Sequence, residues 1–454
     1  MRKFLNDYGT IFILLVLCVL LSWRTLSPQN PVGGEAGKLV AEKIAALSPR
    51  PERVIIAIRN NAQEKEFAAA AETVFTARGI EIAGTALGAP GEVRKIAKAA
   101  EAEGKTIGAV AASEPASVWA IFDNMGDKLP NMKGAAVFKP ETYLWPTFLK
   151  KDNLINVSNQ IVVIATIAIG MTLVIITGGI ELSVGSMIAF SSCLAAWFIK
   201  NWGGAEEAGT GSMVFYCILA IAVSGCVGLF SIVFITLVGI PPFIVTLATM
   251  MVASGLAFII SGGYSIYQLP WNFTWLGRSS LPGGIPMSVG IMLVLYICAH
   301  VLMSRTTLGR YIYAVGGNRE AARLSGVPVR TVLLFVYIAT AVLAGFGGII
   351  TASQMKAGAP TYGVSYEMYV IAAVVVGGTS LTGGEGKIFG TLIGSFIIAV
   401  IQNGMNLLGV ESYTQKVILG LVILGAVSLD RLKKVDLAGF GKMRQAQAAQ
   451  KGMS

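Results

Sequence analysis

Residues 155–177 read INVSNQIVVIATIAIGMTLVIIT, a run that carries no charged side chain. A helix needs about 20 apolar residues to cross the hydrocarbon core of a bilayer. Similar runs recur along the chain, and we predict ten spans near residues 9–25, 155–177, 182–200, 213–239, 243–262, 287–304, 331–353, 367–382, 390–408 and 412–429. The sequence therefore predicts a polytopic α-helical membrane protein with about ten transmembrane helices.

The composition excludes an ordinary cytosolic enzyme and locates one water-soluble segment. Of the 454 residues, 54% are hydrophobic and 13% are charged, whereas a soluble chain usually has about 25% charged residues. Residues 24–151 contain 17 of the 35 basic and 14 of the 25 acidic residues. The rest of the chain is therefore more apolar than the average, and residues 26–150 form a polar insert between the first and second spans.

The basic residues predict the orientation of the chain in the membrane. Residues 304–330 carry five arginines and one glutamate, and residues 430–454 carry six basic and two acidic residues. Both segments flank hydrophobic runs, where an excess of Lys and Arg marks the cytoplasmic side. With ten spans, both termini are then cytoplasmic and the insert is extracytoplasmic. The net charge of +10 therefore predicts no nucleic-acid partner.

The first hydrophobic run resembles a signal peptide, since it follows Arg2 and Lys3. No small-residue cleavage site follows it, so we predict a retained membrane anchor. The predicted organisation is a first transmembrane helix (1–25), the insert (26–150), a membrane core (151–430) and a basic cytoplasmic tail (431–454).

The insert alternates between short apolar runs and amphipathic segments. We predict strands at 53–59, 80–86, 106–112 and 134–138, and helices at 63–78, 91–102 and 116–125. Strands that alternate with helices of this length indicate a parallel sheet covered on both faces. The prediction is a small three-layer α/β domain.

Two glycine-rich interruptions divide long apolar stretches. Residues 177–186 read TGGIELSVGS, and residues 377–386 read GGTSLTGGEG. Such pairs occur in transporters whose discontinuous helices expose backbone groups to a cavity, but short turns or close packing through small residues would explain them too. The candidate residues for helix breaks or a translocation path are Gly178, Gly179, Glu181, Ser183, Gly185, Ser186, Gly377, Gly378, Thr379, Ser380, Asn403 and Asn406. A carboxylate such as Glu181 near the hydrocarbon needs a partner or water.

A loop at 305–330 is predicted to form a rigid projection. Asn318 is a suitable N-cap, the next six residues favour a helix, and Gly326 with Pro328 ends it. The segment would contact a motor subunit, or it would be a solvated loop that only fixes the topology. Its residues are Gly316, Gly317, Asn318, Arg319, Glu320, Ala321, Ala322, Arg323, Leu324, Ser325 and Gly326.

The sequence lacks the usual motifs of enzymes that make or break covalent bonds. The nearest approach to a phosphate-binding loop, at 381–388, has Leu381 in place of the first glycine and Ile388 in place of a hydroxyl residue. The single histidine, His300, lies in an apolar run, where a hydrogen-bonded structural role is the simplest explanation. We therefore predict no catalytic residue, no metal site and no cofactor on this chain.

Four segments in order resemble one transporter family. They are GMTLVIITGGIELSVGS (170–186), PPFIVTLATM (241–250), TLGRYIYAVGGNREAARLSGV (307–327) and VVVGGTSLTGGEGKIFGTLIGSFIIAVIQNGMNLLGV (374–410). The chain resembles the permease subunit of ribose/xylose/galactoside-type bacterial ABC importers. The usual Gly-Ile-Asp of that family is here Gly-Ile-Glu181, which keeps the charge on a longer side chain.

The resemblance implies a location, a function and partners. The chain would carry a monosaccharide or sugar-like polyol across the bacterial inner (plasma) membrane, in contact with lipid. Two permeases, as a homodimer or with a close relative, would pair with two ATP-binding subunits, which hold ATP and Mg. A periplasmic sugar-binding protein would deliver the sugar, and segment 316–326 would dock against the ATPase.

The insert is a departure from that family, whose members have only a short link there. Residues 53–113 resemble one lobe of the sugar-binding proteins that serve these importers. Those proteins close two lobes around the sugar, and the insert has room for one. We therefore expect it to help seat the soluble binding protein or to gate the outer mouth.

Two other functions stay open at this stage. An ion-coupled secondary sugar carrier would need intramembrane carboxylates, for which Glu181 and Glu367 are the candidates by position. A sensor would need a signalling output, and the 25 residues from Asp430 are too few for a catalytic domain. Neither alternative explains segment 316–326.

Overall fold

The structure is a computed structural model that describes residues 2–434, so most of the predicted basic tail (431–454) lies outside the described residues. The chain divides into two compact units. The α/β unit comprises Leu26–Pro146, and the helical unit comprises Met1–Thr25 and Thr147–Ser454.

The elements follow one another in chain order. They are α1 (Arg2–Arg24), β1 (Leu26–Gln29), α2 (Gly33–Ala45), β2 (Arg53–Ile58), α3 (Ala62–Ala77), β3 (Glu81–Leu87), α4 (Pro90–Ala102), β4 (Ala109–Ala112), α5 (Glu114–Ser117), α6 (Met125–Lys128), β5 (Ala136–Phe138), β6 (Tyr143–Pro146), α7 (Lys151–Ile176), α8 (Val184–Trp202), α9 (Thr210–Val233), α10 (Pro242–Ser261), α11 (Trp275–Arg278), α12 (Met287–Arg305), α13 (Thr307–Gly317), α14 (Arg319–Leu324), α15 (Val329–Met355), α16 (Tyr366–Val376), α17 (Ile388–Leu407) and α18 (Ser412–Lys434). A π-helical turn, Phe234–Val238, extends α9.

The α/β unit is built on a parallel sheet of order β3-β2-β4-β5. Strand β2 is buried on both faces: Ile56 packs with Phe67 and Phe75 of α3, whereas Ile55 packs with Val93 of α4. Helix α2 joins α3 on the first face. Strands β1 and β6 pair antiparallel as a separate ribbon.

The third predicted helix of the insert, residues 116–125, is wrong. The structure has two four-residue helices instead, α5 and α6, with irregular chain between them. Asn124 adopts a left-handed conformation (φ 53°) directly before α6, which a continuous right-handed helix over 116–125 does not allow. Helix α2 and the β1–β6 ribbon are elements that the sequence pattern did not predict.

The helical unit contains, among the described residues, six helices long and apolar enough to cross a membrane: α7, α9 with its π turn, α10, α12, α15 and α17. Three shorter apolar stretches are Gly9–Arg24, Tyr366–Val376 and Ser412–Gly425. Helix α7 is buried throughout its second part, residues 161–176, because α12, α15, α16 and α17 pack around it.

Small residues set the close packing of α15 against its neighbours. A Cβ on Gly170 of α7 would lie 2.7 Å from the Cα of Thr340, and one on Gly345 would lie 2.7 Å from the Cβ of Ser224 in α9. Helices without a hydrophobic driving force between them associate through such close contacts.

Candidate functional site

Three glycine segments that are far apart in the sequence meet at one end of the helical unit. The backbone N–H of Gly384 donates to the carbonyl oxygen of Ile176, the last residue of α7, at 2.8 Å. A Cβ on Gly316, near the end of α13, would overlap that same carbonyl, and one on Gly383 would lie 2.9 Å from the Gly316 carbonyl. We call these four residues the glycine junction. Only glycine allows the three backbones to approach so closely.

The junction joins two linkers to one helix. The first linker (residues 177–183) connects α7 with α8, and the second (377–387) connects α16 with α17. The Tyr313 hydroxyl of α13 donates to the carbonyl oxygen of Gly386 in the second linker at 2.7 Å. A displacement of α13 would therefore act directly on both linkers.

Helix α14 projects from the end of α13. Asn318 accepts a hydrogen bond from the Ala321 N–H at 2.9 Å, so the predicted N-cap is confirmed. Ala322 is buried, whereas the Leu324 side chain is 82% exposed. Glu320 and Arg323 form an exposed ion pair at 2.7 Å. The helix is thus anchored by one small side chain and presents the others outward.

The predicted loop at 305–330 is wrong in its first half. Residues Thr307–Gly317 form helix α13, so Gly316 and Gly317 are its last residues and not part of a loop. The Thr306 hydroxyl caps this helix by accepting from the Gly309 N–H. At the other end of the projection, Ser325 follows α14, and Gly326 (φ +84°) reverses the chain.

The first linker contains a buried carboxylate whose partner is local. Glu181 is 5% exposed, and its Oε1 accepts from the Ser183 N–H at 2.7 Å and from the Ser183 hydroxyl at 2.6 Å. Gly178 has a positive φ of 75°, and a Cβ on Gly179 would lie 2.5 Å from the Tyr337 hydroxyl. That hydroxyl is buried and has no hydrogen-bond partner in the described part of the chain.

The first linker also carries the chain away from the glycine junction. It leads into α8, whose residue Gly185 packs against the Gly363 carbonyl and Glu367, at the start of α16. Helix α16 has 11 residues and ends at the second linker. At about 1.5 Å per residue, α8 therefore begins roughly 16 Å from the junction along the axis of α16.

The second linker stays at the junction. A Cβ on Gly377 would lie 2.8 Å from the Cα of Thr391, so α16 and α17 are in backbone contact there. Thr379 and Ser380 are both 2% exposed, and the Ser380 and Thr382 hydroxyls are 2.8 Å apart. Gly378 has a positive φ of 91° and faces open space.

The structure places Asn403 and Asn406 at the opposite end of α17 from the linkers. Asn403 is buried and exchanges two amide hydrogen bonds with Asn153 of α7, at 2.8 and 3.0 Å. Asn406 is exposed and accepts from the Gln415 amide at 2.9 Å. The structure thus does not bring these two residues together with the other candidates.

A cavity of about 370 Å³ lies where α8 begins, and the sequence pattern did not predict it as a unit. It is lined by Gly185, Ser186, Ala189, Met250, Met251, Ser254, Pro360, Tyr362, Gly363, Val364, Ser365 and Glu367. Of these residues, the sequence predicts a role only for Gly185 and Ser186, and for Glu367 as a candidate for ion coupling. The apolar run that ends at Gly377 is short, and this feature of the sequence could have predicted that α16 is only about half the length of a membrane-spanning helix.

No group of three or more His, Cys, Asp or Glu side chains is placed to hold a metal ion in residues 2–434, the part the structure describes. His300 is exposed on α12, and its ring lies 4.6 Å from that of Phe389.

Comparison with known proteins gives one family and several relatives. Residues 153–427 match the family described as branched-chain amino acid transport system / permease component. The ribose import permease protein RbsC of Bacillus subtilis is 43% identical over 69% of this chain and 95% of its own length. RbsC of Escherichia coli K12 is 39% identical over 64% and 89%. The D-allose transport system permease protein AlsC of Escherichia coli K12 is 35% identical over 63% and 85%. No solved structure matches the chain.

Proposed function

Because this chain belongs to the permease family of ABC importers, we propose that it is the transmembrane subunit that carries a monosaccharide or sugar-like polyol across the bacterial inner membrane. It is a transport subunit and not an enzyme. The description of the family names branched-chain amino acids, but the three relatives import ribose or allose by name. Their coverage of up to 95% favours a sugar for this chain.

The proposed topology has ten membrane helices. Six of them are the long apolar helices, and the other four are α1, α8, α16 and α18, which are shorter or less apolar. With the arginine-rich α13–α14 segment in the cytoplasm, both termini are cytoplasmic and the α/β unit is extracytoplasmic. The glycine junction then lies at the cytoplasmic end of the helical unit.

The proposed partners are an ATP-binding subunit, a periplasmic sugar-binding protein and a second permease. The ATP-binding subunit docks on α14 and supplies the ATP hydrolysis. A binding partner shifts a conformational equilibrium only through contacts that differ between the two states. The sugar-loaded binding protein outside and the ATPase inside provide such contacts, and the permease alternates between outward and inward access.

One observation carries this mechanism: the backbone contacts of the glycine junction. The Ile176 carbonyl meets Gly316 and Gly384 within one cluster. A displacement of α14 is transmitted through α13 to the end of α7 and to Gly383 and Gly384 of the second linker through backbone contacts. Packed backbones of this kind move between discrete arrangements and do not deform gradually.

The α/β unit is proposed to seat the soluble binding protein. Its parallel sheet and two helical layers resemble one lobe of such proteins, and one lobe alone leaves half of a sugar's polar groups unmatched. Replacement of residues 30–145 by a short linker should weaken the affinity of the complex for the binding protein. Unchanged affinity and unchanged uptake would contradict this role.

The experiment uses this chain co-expressed with the ATPase of its own operon and reconstituted in nanodiscs. We expect co-purification and ATP hydrolysis that the sugar-loaded binding protein stimulates. The double change Arg319→Glu/Arg323→Glu should abolish both, because it reverses the charge of the α14 surface. Arg330→Glu, an exposed arginine at the start of α15, is the matched control. No association, with uptake that collapses when the ion gradient is dissipated at constant ATP, would favour the ion-coupled carrier.

A further inference from the structure

The cavity beside the start of α8 has the size and lining of a small-molecule site. Its volume of about 370 Å³ falls within the ~300–1,000 Å³ that such sites usually occupy. Apolar groups from Ala189, Met250 and Met251 form one part of the wall, and the hydroxyls of Ser186, Ser254 and Tyr362 occur among them. A mostly apolar wall with a few polar groups suits a sugar, whose ring has apolar faces and a hydroxyl rim.

The backbone that lines one side of the cavity, between α15 and α16, is non-helical. Residues 356–365 run back from the end of α15 without regular structure, and Lys356 and Ser365 have positive φ values of 54° and 68°. The Ile266 and Gly358 backbones bridge each other, but the segment from 360 to 365 lines the cavity. Irregular backbone at membrane depth is tolerated only where it is buried in protein or faces a water-filled cavity. This cavity is therefore expected to be wet.

Glu367 provides the charged group of the cavity. It lies in the first turn of α16, its side chain is partly buried, and Gly185 of α8 leaves space for one of its carboxylate oxygens. Within the described residues, no side chain of another residue is found to donate to this carboxylate. Glu181, the other intramembrane candidate, already accepts two bonds from Ser183. Of the two, only Glu367 lines the cavity, so its carboxylate is the one positioned to accept from a ligand there.

We propose that this cavity is a transit site for the sugar, in which Glu367 accepts hydrogen bonds from sugar hydroxyls and Met250 and Met251 adapt to the apolar face of the ring. This inference rests on the proposed function and adds the place and the residues of substrate contact. The unbranched side chain of methionine adjusts to different shapes. Such a wall accommodates several sugars and leaves selection to the binding protein.

The first test fills the cavity. The complete complex is reconstituted in proteoliposomes, and uptake of radiolabelled D-ribose, or of D-allose, is measured together with ATP hydrolysis. Ser254→Phe should lower the sugar taken up per ATP at least about tenfold, because the ring takes space that the sugar needs. Hydrolysis stimulated by the binding protein should continue. Val252→Phe, an exposed position on the same helix, should behave as the wild type.

The outcomes separate the cavity from the proposed function. Absence of ATP-dependent uptake of any monosaccharide or sugar-like polyol by the wild-type complex would overturn the proposed function, and this inference with it. Coupled uptake by the wild type that Ser254→Phe leaves unchanged would overturn the cavity assignment alone. Loss of both uptake and assembly in Ser254→Phe would be resolved by a change made after folding.

That second change uses Ser254→Cys in a chain whose five native cysteines are replaced. A thiol-specific methanethiosulfonate reagent added to the assembled complex should block uptake, and the sugar-loaded binding protein during turnover should slow the modification several-fold. Val252→Cys should show neither effect. Modification at an unchanged rate with sugar in transit, or uptake unaffected by modification, would overturn the proposal.

The contribution of the carboxylate is tested by Glu367→Gln, which keeps the shape and removes the charge. A hydrogen bond to a charged acceptor is stronger than one to a neutral acceptor, so we expect uptake per ATP to fall roughly tenfold. Glu411→Gln, at an exposed carboxylate before α18, is the control. Equal uptake by Glu367→Gln and the wild type would remove Glu367 from the site.

Discussion

The two glycine-rich linkers look alike in the sequence but do different things in the structure. Residues 177–183 lead the chain away from the glycine junction and deliver α8 to the wall of a cavity. Residues 377–387 remain at the junction and connect α16 and α17 where their backbones are in close contact. The difference arises from helix α16, which precedes the second linker and whose first turn lies beside the helix that follows the first linker, α8. Helix α16 ends at the second linker and begins beside the start of α8, where the first linker leads. It has 11 residues, too few to cross a bilayer, so it separates the two places by only part of the membrane thickness.

The two linkers have contacts that suit different tasks. The second linker and α13 meet through backbone atoms, which suits transmission of a mechanical push. The first linker contains a carboxylate, Glu181, that accepts hydrogen bonds from Ser183, and it leads to the cavity at the start of α8. This arrangement suits the passage of a substrate. A change at the junction should therefore affect coupling, and a change beyond Glu181 should affect the path.

The largest effect is expected from Gly316→Ala. The added Cβ would overlap the Ile176 carbonyl, and backbone atoms cannot move aside as the end of a side chain can. Overpacking of a tight contact usually costs about 1–3 kcal/mol, and we expect the upper end of that range with loss of stimulated ATP hydrolysis. The thermal unfolding midpoint and hydrolysis of the purified complex measure both effects.

Gly317→Ala is the matched control, since it is the adjacent residue and its Cβ would have nothing within 4 Å. It should be neutral or slightly stabilising, because alanine loses less backbone entropy than glycine on folding. Equal stability and equal hydrolysis for the two variants would show that the junction is not the tight contact described.

An intermediate effect is expected at Glu181. Glu181→Ala leaves the buried N–H and hydroxyl of Ser183 without their acceptor, which costs about 1–3 kcal/mol. Glu181→Gln retains an acceptor oxygen and should cost less. Unfolding of the purified chain measures the difference, and uptake that falls equally in both variants would instead indicate that the charge itself has a role in transport.

The sequence was most informative where periodicity and local chemistry decide the structure. The Asn318 cap and the strand pattern of β2 to β4 depend on neighbouring residues, and both could be predicted. The prediction of a 116–125 helix failed because α5 ends at Ser117 and the left-handed Asn124 separates the following irregular chain from α6. Helix α13 was missed because glycine is a poor helix former, whereas Gly316 is present for its contact with Ile176.

The candidate site could be predicted in its parts but not in its assembly. Gly316, Gly383 and Gly384 each lie in a segment with an unusual local sequence. Their meeting depends on the packing of α7, α13 and the second linker, which no single segment encodes. The cavity was missed for a similar reason, because its lining comes from α8, α10 and the 360–367 segment.

A smaller effect, away from both linkers, is expected from the amide pair of Asn153 and Asn403. Asn153→Ala leaves the buried amide of Asn403 unpaired, at a cost of about 1–3 kcal/mol, whereas Asn403→Ala should cost less because the half-buried Asn153 amide still donates to the Phe148 carbonyl. The double variant should cost less than the sum, since no unpaired amide remains. Uptake at permissive temperature should be unchanged, whereas a specific loss of uptake by Asn403→Ala would support the prediction that Asn403 lines the path.

The smallest effect is expected at the cap of α14. Asn318→Ala removes the acceptor for the Ala321 N–H, and loss of an N-cap costs about 0.5–2 kcal/mol. Because α14 has six residues and is buried mainly through Ala322, this cost should fall on the projection itself and leave the helical unit intact. We expect weaker stimulation of ATP hydrolysis with an unchanged unfolding midpoint. Asn318→Asp, which keeps an N-cap acceptor, should restore the stimulation, and equal stimulation by Asn318→Ala and the wild type would mean that α14 docks without being preformed.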